Sequence, residues 1–217
     1  MIAVTCGPSV ALADGMPTFR YAAMSQTECE AELATRSIAF EREIARGVLA
    51  PVRLKGPLGG VEYRTNLRAD KRETTPWEIA DCRLVLALDD FAKILAQHDI
   101  VEVRHYSMYR VPSKRWPDDQ IAARHNGGLA LDAARFMRKD GSQLDVLDDF
   151  KGRIGSKTCG KKARKVKSAA ALELREIICA AVAQQLFNVI LTPNHNRGHR
   201  NHFHLEVTAD VNWILVR

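Results

Sequence analysis

The residues best suited to chemistry are histidines, and five of the seven in the chain lie in two short segments. In the segment 193–207, His202, His204 and Glu206 alternate with apolar residues. Alternation of this kind is typical of a strand with one polar face and one packed face. Histidines at positions i and i+2 of a strand point the same way, about 7 Å apart along it. The segment therefore presents imidazole groups on a single face.

The other histidine segment, residues 122–136, combines His125 with a carboxylate. Six residues separate His125 from Asp132. If a strand begins near residue 128, the small residues Gly128 and Ala130 share a face with Asp132, and leucines pack on the opposite face. Small residues beside a carboxylate leave room for a metal ion and a substrate. His125 lies on the preceding loop, from which its ring can turn towards Asp132.

Together, the two segments offer two imidazoles and one carboxylate, which is a ligand set for zinc. A catalytic zinc ion has three protein ligands and keeps a fourth position open for water. His125, Asp132 and one histidine of the pair His202 and His204 would supply such a set, and the open position would allow water to be activated. Either motif alone is common by chance, whereas both on alternating strands indicate a site. The histidines that we interpret as surface residues are His98 and His195.

Apolar periodicity predicts the elements that must position these residues. Thr75-Pro76 is expected to open a long helix that runs to about His98, and a second long helix is expected over 168–188. Strands are expected within 49–65 and over 99–111, 128–137, 143–147 and 201–209, the third and fourth of these joined by an Asp140-Gly141 hairpin turn. Because helices and strands are mixed without regular alternation, the pattern favours a layered α+β fold.

The N-terminus indicates export. The first residues are mildly apolar and end in Ala11-Leu12-Ala13, with small residues where signal peptidase requires them. We interpret residues 1–26 as a signal-peptide remnant with a flexible lead-in from residue 14, and residues 27–217 as the folded domain. A disordered N-terminal tail is the alternative.

Cysteine usage agrees with export. Cleavage after Ala13 would leave four of the five cysteines, an even number that suits disulfides in an oxidising compartment. Four cysteines allow three pairings, and we favour Cys29–Cys82 with Cys159–Cys179 because each would join a loop or helix start to a neighbouring helix. Four buried thiols in a cytosolic protein are the alternative. No Cys-x-x-Cys pair is present, which argues against a cysteine zinc site.

Composition limits the class of protein and of partner. The 217 residues are 46% apolar, which is enough for one domain with a core. No stretch approaches about 18 unbroken apolar residues, so no transmembrane helix is expected. The net charge of +6 favours an anionic partner, such as nucleic acid, anionic lipid or wall polymer. Residues 151–167, the basic loop, could attract such a polymer through 161–167, or could simply be solvated.

These motifs resemble those of the D-Ala-D-Ala metallopeptidases and the lysostaphin-type peptidases. The residues that match their first motif, H-x-x-G-x-A-x-D, are His125, Gly128, Ala130 and Asp132. The residues that match their second motif, H-x-x-H-x-H, are His199, His202 and His204. The wider context, over about residues 27–209, is closer to the bacterial extensin-like C-terminal domain, with Asp81-Cys82 heading a helix and Asn201-His202 near the end.

The resemblance implies a Hedgehog/DD-peptidase-like fold, in which helices flank a small antiparallel sheet. It implies one zinc ion per chain, bound by His125, Asp132 and His204. In that arrangement His202 is a base or a transition-state stabiliser. The remaining implied roles are substrate carbonyl or carboxylate binding by Arg110 and support of the site by His199.

The chain departs from the family pattern at two places. Ala123 stands two positions before His125, where serine is usual. No glutamate stands two or three positions before His204, where the carboxypeptidase branch keeps its base. The base would then be a histidine, as in the lysostaphin branch.

The resemblance implies a zinc peptidase or amidase that acts on peptidoglycan peptides. The N-terminal export signal predicts a periplasmic or secreted location, and we expect a monomer. A non-catalytic, zinc-containing module that binds a cell-wall polymer is the alternative, favoured by the missing acidic base. A metal-dependent nuclease is a third hypothesis, based on the positive charge and on the Asn201-His202 pair. The absence of a nucleic-acid-binding motif counts against it, so no nucleic-acid partner is expected.

Overall fold

Strand pairing in the second half of the chain provides the framework for the histidine segments. The structure is a computed structural model that describes residues 15–217. Its strands are β1 (Phe40–Arg42), β2 (Pro51–Leu54), β3 (Glu62–Thr65), β4 (Ile79–Asp81), β5 (Ile100–His105), β6 (Ala130–Arg138), β7 (Gln143–Asp145), β8 (Val189–Leu191), β9 (Phe203–Glu206) and β10 (Leu215–Val216). Its helices are α1 (Pro17–Ala22), α2 (Gln26–Thr35), α3 (Ala69–Arg72), α4 (Cys82–Ala96), α5 (Val146–Asp149) and α6 (Ala169–Ala183).

The main sheet has seven strands, and the α+β class predicted from the sequence is confirmed. The strand order is β10-β8-β9-β6-β5-β3, and β7 also pairs with β6. The centre of the sheet is antiparallel, but β3 pairs with β5 and β10 pairs with β8 in parallel. The expected small antiparallel sheet is therefore larger and mixed. A parallel pair needs a crossover connection, and the connection from β3 to β5 runs through β4 and α4.

A second, antiparallel sheet of β1, β2 and β4 corrects the expected start of the first long helix. Residues Pro76–Glu78 form a single 3₁₀ turn, and Ile79–Asp81 then pair with Pro51–Arg53. The helix begins only at Cys82, so the expectation of a helix from Pro76 is wrong. Tertiary pairing with β2 outweighs the local preference of proline for a first helical turn.

Helix α4 is the central helix of the core. Eleven of its fifteen residues are buried, and it contacts α1, α2 and α6. The Phe91 ring on α4 meets the Phe187 ring edge-on, with 5.7 Å between their centroids. None of the described helices is long and apolar enough to cross a bilayer.

Two disulfides connect these elements, and the favoured pairing is confirmed. Cys29–Cys82 joins α2 to the first residue of α4. Cys159–Cys179 joins the basic loop to α6. Each bond therefore ties a helix to a neighbouring helix or loop.

The expected flexible lead-in is wrong for residues 17–22, which form α1. Thr18 and Tyr21 on this helix are buried, and the Tyr21 hydroxyl bonds to Asp90 on α4 and accepts from Arg36. An apolar and aromatic face packed on α4 accounts for the order of this segment. The signal-peptide remnant, residues 1–13, lies outside the described residues.

Candidate metal centre

Sheet register brings the two motifs together. Strands β6 and β9 are neighbours, and Asp132 lies directly opposite His204. His125 comes from a 3₁₀ turn, Arg124–Gly127, that leads into β6. The chain leaves this turn through Gly128 at φ +65°, where a Cβ atom would lie 2.7 Å from the backbone nitrogen of Asp81. Only glycine allows this approach, so Gly128 is needed where the chain leaves the turn that bears His125.

Three imidazoles converge on one oxygen of Asp132. The Oδ1 atom lies 3.0 Å from His125 Nε2 and 3.1 Å from His204 Nδ1. It also lies 3.3 Å from His202 Nε2. The ligating atoms of His125, Asp132 and His204 all lie within 4.8 Å of one another, and all three residues are buried.

In two of these histidines, the ring nitrogen that faces away from Asp132 contacts a hydrogen-bond acceptor. His125 Nδ1 lies 3.2 Å from the carbonyl oxygen of Met108, which can only accept, so this nitrogen donates. His204 Nε2 donates in the same way to Glu206 Oε2 at 2.9 Å. A neutral imidazole has one donor nitrogen and one lone-pair nitrogen. When both rings are neutral, the nitrogens that face Asp132 are lone pairs, so three electron-rich atoms meet and a proton or a metal ion must bridge them.

The charges at the site are strongly coupled. Burial would raise the pKa of Asp132, but hydrogen bonds from His125 and His204 outweigh it and hold that pKa well below its usual value. Burial likewise opposes the charged form of His204, and bonds to its two carboxylate neighbours raise its pKa instead. The pKa of Glu206 is lowered because bonds from His204 and Thr208 outweigh the effect of burial. A cation between these groups is thus favoured, either as a proton on His204 or as a metal ion.

Arg110 is bonded to the candidate metal ligand. Its Nη2 pairs with Asp132 Oδ2, and its Nε donates to Ser107 Oγ at 2.9 Å. The side chain is still 52% exposed, so one side of the guanidinium faces solvent. Arg110 therefore orients Asp132 so that Oδ1 faces the imidazoles.

His202 is oriented by a short chain of polar groups. Its Nδ1 donates to Asn201 Oδ1 at 3.0 Å, and Asn201 Nδ2 donates to the Tyr106 hydroxyl at 2.9 Å. Burial lowers the pKa of His202, so its ring is neutral near pH 7. The lone pair of His202 Nε2 is therefore directed towards the candidate metal ligands.

These residues line an open cleft of about 840 Å³. All six residues predicted for the site border it: His125, Asp132, His204, His202, Arg110 and His199. Burial, together with the neighbouring imidazoles, lowers the pKa of His199 to about 4. The cleft also has an apolar border formed by Val189, Leu191, Trp213 and Leu215.

Comparison with known proteins identifies the family. The family model described as the C-terminus of extensin-like proteins matches residues 27–217. The chain belongs to this extensin-like family. No curated protein and no solved structure matches the chain.

Sequence reasoning missed several residues of this extensin-like site. His195, interpreted as a surface residue, is half-buried and lines the cleft with its ring centroid 5.1 Å from that of His199. Asn201 was part of the resemblance but was given no role at the site, and the chain of bonds from His202 through Asn201 to Tyr106 reveals the role of both residues. Strand alternation had placed Glu206 on the face of His204, but its role as the partner of that histidine was not predicted.

Proposed function

We propose that this extensin-like domain is a zinc-dependent peptidase or amidase that acts on peptidoglycan peptides, with a Hedgehog/DD-peptidase-like fold. The observation that carries the proposal is the convergence of His125 Nε2 and His204 Nδ1 on Asp132 Oδ1, while the other nitrogen of each ring faces an acceptor. Two neutral imidazoles gain nothing from facing a carboxylate oxygen at this distance unless a cation lies between them.

The donor set fits zinc, one ion per chain. Two imidazole nitrogens and one carboxylate oxygen match the ligands of catalytic zinc sites, which leave a position open. Histidine ligands of zinc usually donate their other ring N–H to a carboxylate or a backbone carbonyl. Glu206 plays this part for His204, and the Met108 carbonyl plays it for His125.

The residues of the cleft can then divide the work of amide hydrolysis. A bound zinc ion supplies Lewis acidity, which acidifies water and polarises an amide carbonyl. His202, neutral and oriented by Asn201, can accept a proton and later deliver it to the leaving amine. Arg110 holds Asp132 and presents its exposed side to the negative charge that develops on the substrate oxygen.

A periplasmic or secreted location and a peptidoglycan substrate complete the proposal. The two disulfides support an oxidising compartment. The substrate class rests on the likeness of the two motifs to the D-Ala-D-Ala and lysostaphin-type peptidases. We propose that the protein acts as a monomer.

The first test is the metal content of the purified protein, measured by elemental mass spectrometry after exposure to zinc and removal of the excess. We expect about one zinc ion per chain in the parent, and none in His204→Ala. His195→Ala is the matched control, because His195 lines the same cleft without facing Asp132, and it should retain the metal. Folded parent protein that binds no zinc would overturn the proposal.

The second test is release of free amines from purified sacculi by the zinc-loaded protein. His202→Ala should keep its zinc and lose about 10²–10⁴-fold in rate, the usual contribution of a general base. Activity should disappear with a chelator and return with zinc. Zinc-loaded parent protein that releases no amine would eliminate the hydrolase.

One observation favours a non-catalytic, zinc-containing wall-binding module as a second candidate. Among the described residues, the only carboxylates that line the cleft are Asp132 and Glu206, and both are bonded to histidines. No free carboxylate is left there to act as the base. Zinc that binds stoichiometrically without any turnover of sacculi would establish this second function.

A further inference from the structure

The basic loop contains the excess positive charge of the whole chain. Its eight lysines and arginines are Lys151, Arg153, Lys157, Lys161, Lys162, Arg164, Lys165 and Lys167. No acidic residue occurs from residue 151 until Glu173. The chain has 32 basic and 26 acidic residues, so without these eight the balance would be 24 against 26. The net charge of +6 is therefore a local property of this loop.

This charge is not neutralised within the described residues. All eight side chains belong to exposed residues, and none of them lies within salt-bridge distance of a carboxylate. Arginines elsewhere do pair, such as Arg53 with Glu43 and Arg138 with Glu173. Arg175 on α6 adds a ninth cation beneath the loop: it stacks on the Phe150 ring and has no carboxylate partner. The loop thus presents a strong positive field to solvent.

The basic loop is attached to the rest of the fold at several points, although most of it is neither helix nor strand. The Cys159–Cys179 disulfide attaches it to α6. Asn194 holds it from the other side, since its Oδ1 accepts from the Arg153 backbone at 2.7 Å and its Nδ2 donates to Thr158 Oγ1 at 3.0 Å. A surface whose charges are already arranged loses less entropy when it binds than a disordered tail does.

Asn194 also connects the basic loop to the cleft that contains the candidate metal ligands. Asn194 is followed by His195, which lines that cleft. His195 and Asn194 also line a second cavity of about 530 Å³, together with Lys157 and the C-terminal Arg217. A third cavity, of about 380 Å³, lies between the loop and α6. Concave surfaces of this kind fit an extended chain better than the plane of a bilayer.

We propose that the basic loop is a docking surface for the carboxylate-bearing peptidoglycan of the cell wall, and that it holds this polymer beside the metal cleft. The choice of polymer rests on the proposed function, whereas the binding itself does not require the metal. Arginine and lysine side chains recognise carboxylates through charge-assisted hydrogen bonds. Docking would raise the concentration of substrate peptides next to His195.

The test is co-sedimentation of the full chain with purified sacculi over a range of salt concentrations. The variant replaces four exposed lysines of the basic loop with glutamine: Lys161, Lys162, Lys165 and Lys167. The matched control makes the same change of charge at exposed, unpaired residues elsewhere: Lys71, Lys114, Arg115 and Lys139. We expect the loop variant to bind sacculi at least about tenfold more weakly than the parent. The control should bind within about twofold of the parent. Salt should weaken parent binding, because it screens exposed charges.

Two further binding measurements identify the ligand of the basic loop. Sacculi whose carboxyl groups have been converted to amides should no longer bind the parent. Phosphatidylglycerol vesicles present phosphate on a flat surface, and they should bind less well than sacculi. If the four lysines control vesicle binding but leave sacculus binding unchanged, the docking proposal is wrong and the loop is a membrane-binding surface.

The same assay separates this proposal from the hydrolase. His204→Ala, which should lack zinc, is expected to sediment with sacculi as the parent does. Lysine-dependent binding by a protein without turnover would support docking and eliminate hydrolysis. Turnover with lysine-independent binding would support hydrolysis and overturn docking.

Discussion

At the scale of single residues, the position of ring protons decides what this cleft can bind. A histidine on an exposed strand can use either nitrogen as the donor. Here the Met108 carbonyl and the Glu206 carboxylate select the donor nitrogens of the neutral rings, which leaves the nitrogens that face Asp132 able to bind a cation. The partner of each histidine therefore matters as much as the histidine itself.

Glu206→Gln tests this selection. The amide is neutral, so it accepts more weakly from His204 Nε2 and makes the ring a poorer ligand. We expect zinc affinity to fall about 10–100-fold, the usual effect of removing such an outer partner. Competition with a chelator of known affinity measures it. Glu173→Gln is the control, because Glu173 pairs with Arg138 and His98 and does not line the cleft. Unchanged affinity in Glu206→Gln would mean that the carboxylate does not orient the ligand.

Asn201→Ala tests the orientation of His202. Without the Asn201 amide, the His202 ring loses its acceptor and can rotate away from the reacting atoms. Because small misplacements are costly, we expect turnover of sacculi to drop about 10²-fold with zinc content unchanged. Tyr106→Phe removes only the hydroxyl that accepts from Asn201, and its loss should be smaller. Equal rates in Asn201→Ala and the parent would exclude Asn201 as a positioning residue.

Sequence reasoning reached the candidate ligands and missed most of their partners, for a physical reason. Alternation along a strand places His204 and Glu206 on one face, but it does not say which ring nitrogen faces the neighbouring strand. That depends on the pairing of β6 with β9, which sets Asp132 opposite His204. Asn201 and Tyr106 are 95 positions apart, and no local pattern joins them.

At the scale of elements, the start of α4 shows where local preference fails. Pro76 favours a helical first turn, yet Ile79–Asp81 pair with β2 and delay the helix to Cys82. Asp81 then ends the strand and caps the helix. Its fully buried carboxylate accepts from the backbone and the guanidinium of Arg83. The Asp81 backbone N–H also donates to the Gly128 carbonyl, which ties this cap to the turn that bears His125.

Asp81→Asn tests the importance of this cap. The change leaves the buried Arg83 guanidinium without its counter-charge, so we expect the free energy of unfolding to fall by about 3 kcal/mol. Urea denaturation of the oxidised protein measures it. Asp70→Asn makes the same change on the exposed helix α3, where the partner Arg68 is 3.6 Å away, and it should cost less than about 0.5 kcal/mol. If the two variants lose similar free energies of unfolding, burial does not increase the contribution of the Asp81–Arg83 pair to stability.

At the scale of the whole molecule, the sequence predicted the class of the fold better than the layout of the sheet. The α+β class followed from periodicity, and the disulfide pairing was favoured because each bond would join a loop or helix start to a neighbouring helix. The parallel pairs at the two edges of the sheet were not predicted. Strand β3 pairs with β5 although α4 lies between them in the chain, and β8 pairs with β10 although β9 lies between them. Such pairings join residues that are distant in the chain, and a sequence pattern contains no information on register between them.

The two disulfides allow the last prediction, which concerns stability and docking together. Their cysteines are 53 positions apart in Cys29–Cys82 and 20 apart in Cys159–Cys179. Loop-closure entropy gives losses of about 4 and about 3 kcal/mol when each pair is changed to serine. Urea unfolding should show this order.

Only the Cys159→Ser/Cys179→Ser protein should also bind sacculi more weakly, because it keeps every charge of the basic loop but loses the bond that fixes it to α6. Unchanged binding in that protein would mean that charge alone, without a fixed loop conformation, accounts for docking.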